Sequence, residues 1–237
     1  LDTTLDPIVS ARKPKPFAGL ARGEDYYNEG ALVWLEADQL IRRETGGRRG
    51  LDDFALGFFS REGGQRLSLY ERADVVAALA AVHPYDWDGF LAERIDRPGR
   101  PAPLAGIEAG GYRLVWKEEP NPYEKGRMDY YRYLDLTHSL GLRVEPDGRI
   151  SSSVWDGPAF RAGIVTGARI VAVDSVVYTP AWLMRAVRRA RADGKPIALL
   201  IRRGERIETV EVAYTGGFRR PRLRPGAAGG GAGRCPP

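Results

Sequence analysis

Two short motifs in the sequence contain residue types that could take part in chemistry. The first is Tyr26-Tyr27-Asn28-Glu29-Gly30, which opens a helical pattern of apolar residues. A neutral phenol such as that of Tyr27 can donate one hydrogen bond to negative charge that develops on a reacting substrate. The phenol of Tyr27 is thus a group that could stabilise such charge. The alternative is that Tyr27 is a core tyrosine of a buried helix.

The second motif is Ser139-Leu140-Gly141-Leu142, a tight loop that runs into a strand pattern. Successive backbone N–H groups in such a loop can bind an anion, including the carboxylate at the end of a peptide. The strand 140–144 is expected to have an open edge beside the apolar face of a helix over 181–192. An open edge accepts a peptide as an added strand. The predicted peptide-binding residues are Ser139, Leu140, Gly141, Leu142, Leu183 and Val187, and the alternative is a closed or filled groove.

Metal ligands of the soft or imidazole type are scarce in this chain. It has two histidines, His83 and His138, and one cysteine, Cys235. Neither histidine is followed by Glu-x-x-His, so the sequence predicts no zinc ligands within the chain. A single cysteine cannot form an internal disulfide, which leaves the cellular compartment open.

The composition, net charge and hydropathy of the chain predict no membrane span and do not favour a nucleic-acid partner. In 237 residues, 43% are hydrophobic and 28% charged, with a net charge of +5, and no apolar run is long enough to cross a bilayer. Part of the positive charge lies in the tail at Arg219, Arg220, Arg222 and Arg224. A solvated end explains such a cluster better than a nucleic-acid site, because no aromatic platform accompanies it. The start at Leu1, without a leader pattern, suggests a fragment with further sequence upstream.

The first half of the chain has the periodicity of a helical unit. Helices are expected over about 25–45, 51–59 and 71–82, followed by one that Asp86 caps. In the first helix, five residues at helical spacing predict a buried stripe, and an ion pair with Arg42 is expected for the carboxylate on it. These five residues are Tyr27, Ala31, Trp34, Asp38 and Ile41. In the fourth helix, Trp87, Phe90, Leu91 and Ile95 are expected to face the core.

The second half changes to a strand period, interrupted by one long helix that Thr179 caps and Pro180 opens. The sequence therefore predicts an α+β chain, with an all-α subdomain followed by a β-barrel or sandwich domain. The expected divisions are an extended segment over 1–24, a helical part over 25–96, a Pro/Gly linker over 97–111, a β-rich domain over 112–215 and a disordered basic, Gly-rich tail over 216–237.

A run of segments across most of the chain resembles one peptidase family. The segments are 6–14, 25–30, 50–54, 84–87, 139–142 and 154–160. They are similar to the C-terminal part of the glycyl aminopeptidase-like zinc metallopeptidases, the sixty-first metallopeptidase family of the gluzincin clan. The β-rich half, with Ser139-Leu140-Gly141-Leu142 and Gly157-Pro158-Ala159, resembles a PDZ domain. Gly167-Ala168-Arg169-Ile170 and Asp174-Ser175 depart from the usual PDZ turns.

The resemblance implies that the whole protein is a zinc aminopeptidase whose HExxH ligands lie upstream of this chain. It implies that Tyr27 stabilises the oxyanion of the tetrahedral intermediate, in a turn where Glu29 replaces the lysine of related enzymes. Glu29 is not assigned to the metal, because the segment 6–14 resembles the connection that follows the family's third ligand. The implied partners are peptide or protein C-termini or substrate at the PDZ groove, and the upstream part of the catalytic domain. A periplasmic or secreted location is implied as well. The rival hypothesis is a non-catalytic PDZ adaptor with a helical spacer.

Overall fold

The structure is a computed structural model, and it describes residues 26–60, 69–97 and 99–226. The predicted extended segment over 1–24, Cys235 and the end of the predicted tail lie outside the described residues. The chain divides into two compact units. The described part of the helical unit covers 26–113 and 223–226, with the gaps named above, and the β-rich unit covers 114–222. No helix in the described part of the chain is long and apolar enough to cross a membrane.

The helical unit follows the order that its sequence period predicts. A π-helical turn, Ala92–Asp96, continues its fourth helix. Residues 105–109, which the sequence analysis assigns to the linker, form a fifth helix. Within the described ranges, the helices of this unit are α1 (Tyr26–Glu44), α2 (Leu51–Phe59), α3 (Arg72–Val82), α4 (Trp87–Leu91) and α5 (Ala105–Ala109).

The buried face of α1 differs from the predicted stripe. Ile41 is buried as expected, but Ala31 is exposed and Tyr27 is 68% exposed. The predicted buried stripe is therefore wrong for Tyr27 and Ala31. The packed face of α1 begins in its second turn and is formed by residues at the spacing i, i+4, i+7 and i+8. Its residues are Val33, Ala37, Leu40 and Ile41.

The predicted ion pair at Asp38 is confirmed, and it has a second function. Arg42 Nε donates to the Asp38 carboxylate over 2.7 Å. The other carboxylate oxygen accepts from the backbone N–H of Leu51 over 2.8 Å. Because the first N–H groups of a helix lack partners within it, Asp38 joins α1 to the start of α2.

Helix α5 packs directly on the backbone of α1. At Gly106, an added Cβ atom would lie 2.5 Å from the backbone nitrogen of Glu36, so only glycine permits this approach. The Glu36 side chain in turn accepts from Arg94 Nε over 2.9 Å.

The apolar core of the helical unit is formed by α1, α2, α3 and α4 together. Leu79 and Trp87 are fully buried, and the indole N–H of Trp87 donates to the carbonyl of His83 over 2.9 Å. Ile95, predicted to face this core, is 64% exposed. It lies in the π-helical turn, whose wider winding takes Ile95 off the face that continues α4.

The strands of the described residues are β1 (Tyr112–Lys117), β2 (Leu134–Leu136), β3 (Leu142–Val144), β4 (Ile150–Ser153), β5 (Arg169–Val173), β6 (Val176–Val177), β7 (Ile197–Arg203), β8 (Arg206–Val212) and β9 (Arg220–Pro225). They form three sheets: β1 pairs with β9, a second sheet has the order β2-β3-β4, and a third has the order β6-β5-β7-β8. None of these sheets closes a barrel, so of the predicted alternatives the barrel is wrong. The helices are α6 (Pro122–Tyr131), α7 (Pro158–Arg161) and α8 (Pro180–Asp193).

The ends and the buried face that the sequence predicts for helix α8 are confirmed. The Thr179 hydroxyl accepts from Trp182 N over 3.1 Å, and Gly194, with φ 72°, ends the helix. The buried residues are the predicted ones, Leu183, Ala186, Val187 and Ala190.

Strand β9 lies in the stretch that the sequence analysis assigns to a disordered tail. It pairs with β1, and Gly226 N donates to Gly111 O over 2.7 Å. The composition of this stretch cannot form a core by itself, but backbone pairing needs no apolar side chains. Phe218, just before β9, is buried in the core of the β-rich unit and anchors the strand.

Candidate functional site

Tyr27 lies in the first turn of α1 with its side chain mostly exposed. Its ring centroid is 4.7 Å from that of Tyr26. The alternative of a core tyrosine does not fit a side chain that is 68% exposed. The phenol is accessible for a hydrogen bond to a ligand, and its catalytic role stays a prediction.

The residues that the structure describes form no set of ligands that fits a zinc ion. In the described ranges, no three His, Cys, Asp or Glu side chains come together as a metal site would require. The His138 ring packs 5.2 Å from the ring of Trp116, and the backbone carbonyl of His83 accepts from Trp87.

The loop predicted to bind a peptide carboxylate is packed into the core. Leu140 and Leu142 are fully buried, and Ser139 is 5% exposed. Gly141 has φ 77°, and a Cβ atom there would lie 3.4 Å from Gly157 Cα. The left-handed conformation and this close approach explain why glycine occupies the position.

The backbone N–H groups of this loop already have an acceptor within the chain. Ser139 N and Gly141 N both donate to the carbonyl oxygen of Leu136, over 2.9 and 3.0 Å. The Leu136 oxygen therefore takes the hydrogen bonds that the sequence analysis assigns to a peptide carboxylate.

The predicted open edge beside this loop is also wrong. Strand β3 pairs on one side with β4 and on the other with β2, which is antiparallel to it, with Leu134 opposite Val144 and Leu136 opposite Leu142. The chain's own strand thus occupies the edge at which a peptide would add. Leu183 and Val187, predicted to line the groove from α8, are fully buried in the same apolar core. The residues predicted for peptide binding are brought together, but as a packed core.

A polar pocket of about 190 Å³ lies beside this closed loop. Thr137 and His138 line it from the loop side, and three arginines line the rest: Arg143, Arg219 and Arg220. Two carboxylates, Asp135 and Glu124, complete the lining. Sequence reasoning missed this pocket because it assigned Arg219 and Arg220 to a solvated tail. The apolar Phe218 just before them is the signal that could have indicated an anchored segment.

Asp135 stays ionised beside these arginines. Burial acts to raise the pKa of its carboxyl, but hydrogen bonds from Thr137 and the charges of Arg143 and Arg220 outweigh burial. The pKa of Asp135 is therefore held below its ordinary value of 3.8. The pocket thus combines three cations with two anions.

Comparison with solved structures supports the fold. An aminopeptidase N family protein from Idiomarina loihiensis matches 84% of this chain with a TM-score of 0.59 and 16% sequence identity. The match uses 34% of that protein, so this chain spans about a third of its length. At this identity the likeness shows a shared fold: a helical part followed by a β-rich part, as the sequence predicts.

A second solved structure matches part of this chain. The HtrA3 PDZ domain, solved with a phage-derived ligand, matches 52% of this chain with a TM-score of 0.25 and 16% identity, over 99% of that domain. No family model and no curated protein sequence matches the chain.

Proposed function

We propose that this chain is the C-terminal part of a zinc-dependent aminopeptidase and that its β-rich unit is a PDZ-like unit that binds peptide. The observation that carries the proposal is the fold shared over 84% of the chain with an aminopeptidase N family protein. The sequence segments that resemble the glycyl aminopeptidase-like family support it independently. The same resemblance points to a periplasmic or secreted enzyme.

In this proposal, Tyr27 donates a hydrogen bond to the oxyanion that forms on the peptide carbonyl. Its exposed position at the first turn of α1 leaves the phenol accessible to a substrate. Zinc, bound by residues outside this chain, would polarise that carbonyl. The contribution of this chain is thus one hydrogen-bond donor, which acts where negative charge develops in the transition state.

Strand β2 determines how the PDZ-like unit can bind a peptide at β3. A peptide that adds to β3 must first release Leu134–Leu136 and free the loop amides from the carbonyl of Leu136. Only molecules in which β2 has left can then bind the peptide at this edge. Because they are a small fraction, the apparent affinity is lowered in proportion to that fraction.

Hydrogen exchange distinguishes the two routes of peptide binding. A peptide that replaces β2 leaves the amides of Leu134–Leu136 less protected. A peptide that binds elsewhere on the unit leaves their protection unchanged, and the groove predicted from the sequence is then not used.

Activity of the full-length protein tests the peptidase. We expect the zinc-loaded enzyme to release the N-terminal residue from an aminoacyl reporter, a chelator to abolish the activity, and added zinc to restore it. A folded, zinc-loaded protein that cleaves no aminoacyl reporter would leave the peptide-binding adaptor as the function of the chain.

A further inference from the structure

The arginine-lined pocket beside β2 has the features of an anion site, and its most buried cation is Arg220. This residue is 7% exposed. Its Nη2 donates to the backbone carbonyl of Asp135 over 3.1 Å. Its Nε is buried and has no hydrogen-bond acceptor in the described ranges. A buried guanidinium N–H without an acceptor costs free energy, so an anion that accepts from Arg220 Nε would stabilise the fold.

The two other arginines also keep hydrogen-bond donors available. Arg219 is exposed, and its guanidinium lies 4.6 Å from the ring centroid of Trp116. Arg143 Nη2 is 3.4 Å from the Asp135 carboxylate, which is a long hydrogen bond, and Arg143 Nε has no acceptor among the described residues.

The carboxylates of the pocket do not neutralise these three cations. Asp135 accepts from Thr137 N over 2.9 Å, and Glu124 accepts from Asn121 N over 2.9 Å at the start of α6. Three arginines and two carboxylates leave one positive charge in the lining, apart from His138. A single negative charge balances this lining, whereas a doubly charged anion would be repelled by Asp135 and Glu124.

We propose that this pocket binds a carboxylate group. A planar carboxylate matches the parallel N–H groups of a guanidinium, which hold it by two hydrogen bonds at once. A volume of about 190 Å³ admits a carboxylate with a few attached carbon atoms and is smaller than the sites of drug-sized ligands. The group therefore belongs to a small acid or to the end of a longer molecule.

The C-terminal carboxylate of a peptide is the source that we favour, and this choice rests on the proposed peptide binding. His138 and Thr137 of the pocket directly precede the loop whose amides bind the Leu136 carbonyl. The arginines thus provide a place for a peptide end while β2 stays paired with β3.

Calorimetric titration of the 237-residue chain tests the proposal. The probes are N-acetyl-trialanine as the free acid, its C-terminal amide, acetate and inorganic phosphate. We expect the free acid to bind about 10-fold or more tightly than the amide, because only the acid forms charge-assisted hydrogen bonds. Phosphate is expected to bind more weakly than the free acid.

Variants locate the binding to this pocket. Arg219→Gln and Arg220→Gln are expected to weaken binding of the free acid by about 10-fold or more. Arg224→Gln is the matched control: it removes an equal charge from an exposed position of β9, outside the pocket lining, and should change affinity by less than about 2-fold. If a thermal melt shows that Arg220→Gln does not fold, the Arg219→Gln variant, at an exposed position, tests the proposal by itself.

Several outcomes would overturn the proposal: no binding of the free acid up to about 10 mM, equal binding of acid and amide, tighter binding of phosphate, or equal losses in Arg219→Gln and Arg224→Gln. Acetate that binds as tightly as the peptide acid would identify a free small acid as the source of the carboxylate. No zinc or peptidase activity enters this experiment, so an inactive full-length protein would leave its result standing.

Discussion

At the scale of single residues, two side chains of α1 lie in different surroundings. Tyr27 is exposed, whereas Asp38 bonds both to Arg42 and to the backbone of α2. Their periodicity in the sequence puts both on one stripe, and only their surroundings distinguish them. Substitution of Tyr27 and substitution of Asp38 are therefore expected to give different results.

Tyr27→Phe in the full-length enzyme is expected to lower kcat and kcat/KM by about 10²–10³, because loss of one oxyanion donor acts only in the transition state. The substitution keeps the ring of an exposed side chain, so the melting temperature should not change. Steady-state kinetics with a circular-dichroism melt measures both. Turnover within a few-fold of wild type in the folded, zinc-loaded variant removes Tyr27 from the mechanism.

Asp38→Ala is expected to lower the free energy of unfolding by about 1–3 kcal/mol, because it leaves the N–H of Leu51 without its acceptor and removes the closer of the two carboxylates that pair with Arg42. Urea denaturation measures the change. Glu44→Ala is the control in the same helix, since it removes only the exposed pair with Arg43 and should cost less than about 1 kcal/mol. Equal losses in the two variants would show that the link from Asp38 to α2 contributes little.

At the scale of elements, the fold depends on close backbone contacts that the amino-acid composition does not reveal. Helix α5 contacts α1 through Gly106, and β2 covers the edge of β3. Both elements lie where the sequence indicated something else: a linker in the first case and an open groove in the second. The first of these approaches can be tested by adding a single methyl group.

Gly106→Ala is expected to destabilise the helical unit by about 1–3 kcal/mol, because its methyl group would collide with the backbone at Glu36. The matched control is Gly57→Ala in α2, where a Cβ atom would meet nothing within 4 Å. That variant should be neutral or more stable by up to about 1 kcal/mol. Urea denaturation of both variants tests the pair, and an unchanged Gly106→Ala would show that α5 moves away from α1 at little cost.

At the scale of the whole molecule, this chain is one part of the proposed enzyme, since it spans 34% of the aminopeptidase N family protein that shares its fold. Its two histidines do not form a zinc-binding pair in the sequence. The zinc ligands and the general base are therefore proposed to lie in the upstream part of the protein.

The chain produced without further sequence is accordingly expected to bind no stoichiometric zinc and to cleave no aminoacyl reporter, because zinc sites use three or four ligands held together. Elemental analysis after dialysis measures the metal, and the full-length protein serves as the positive control. One zinc per chain after dialysis would contradict the assignment of the ligands to upstream residues.

The sequence by itself determined the elements and the fold class. The period of apolar residues, the cap at Thr179 and the glycine after α8 act over a few residues, and each predicted its element closely. The mixed helix-and-sheet architecture followed from the change of period between the two halves. The ion pair of Asp38 with Arg42 was predictable for the same reason, because helical spacing alone brings the two side chains together.

Only the tertiary structure decided which surfaces stay open. Residues 134–136 have a strand pattern that does not reveal which strand they will pair with, and their pairing closes the predicted groove. Arg220 lies in a stretch whose composition is typical of a disordered tail, yet β9 pairs with β1, and the Arg220 guanidinium is buried beside Asp135. Long-range pairing depends on which distant backbone segment offers free N–H and C=O groups, and the local sequence does not contain that information.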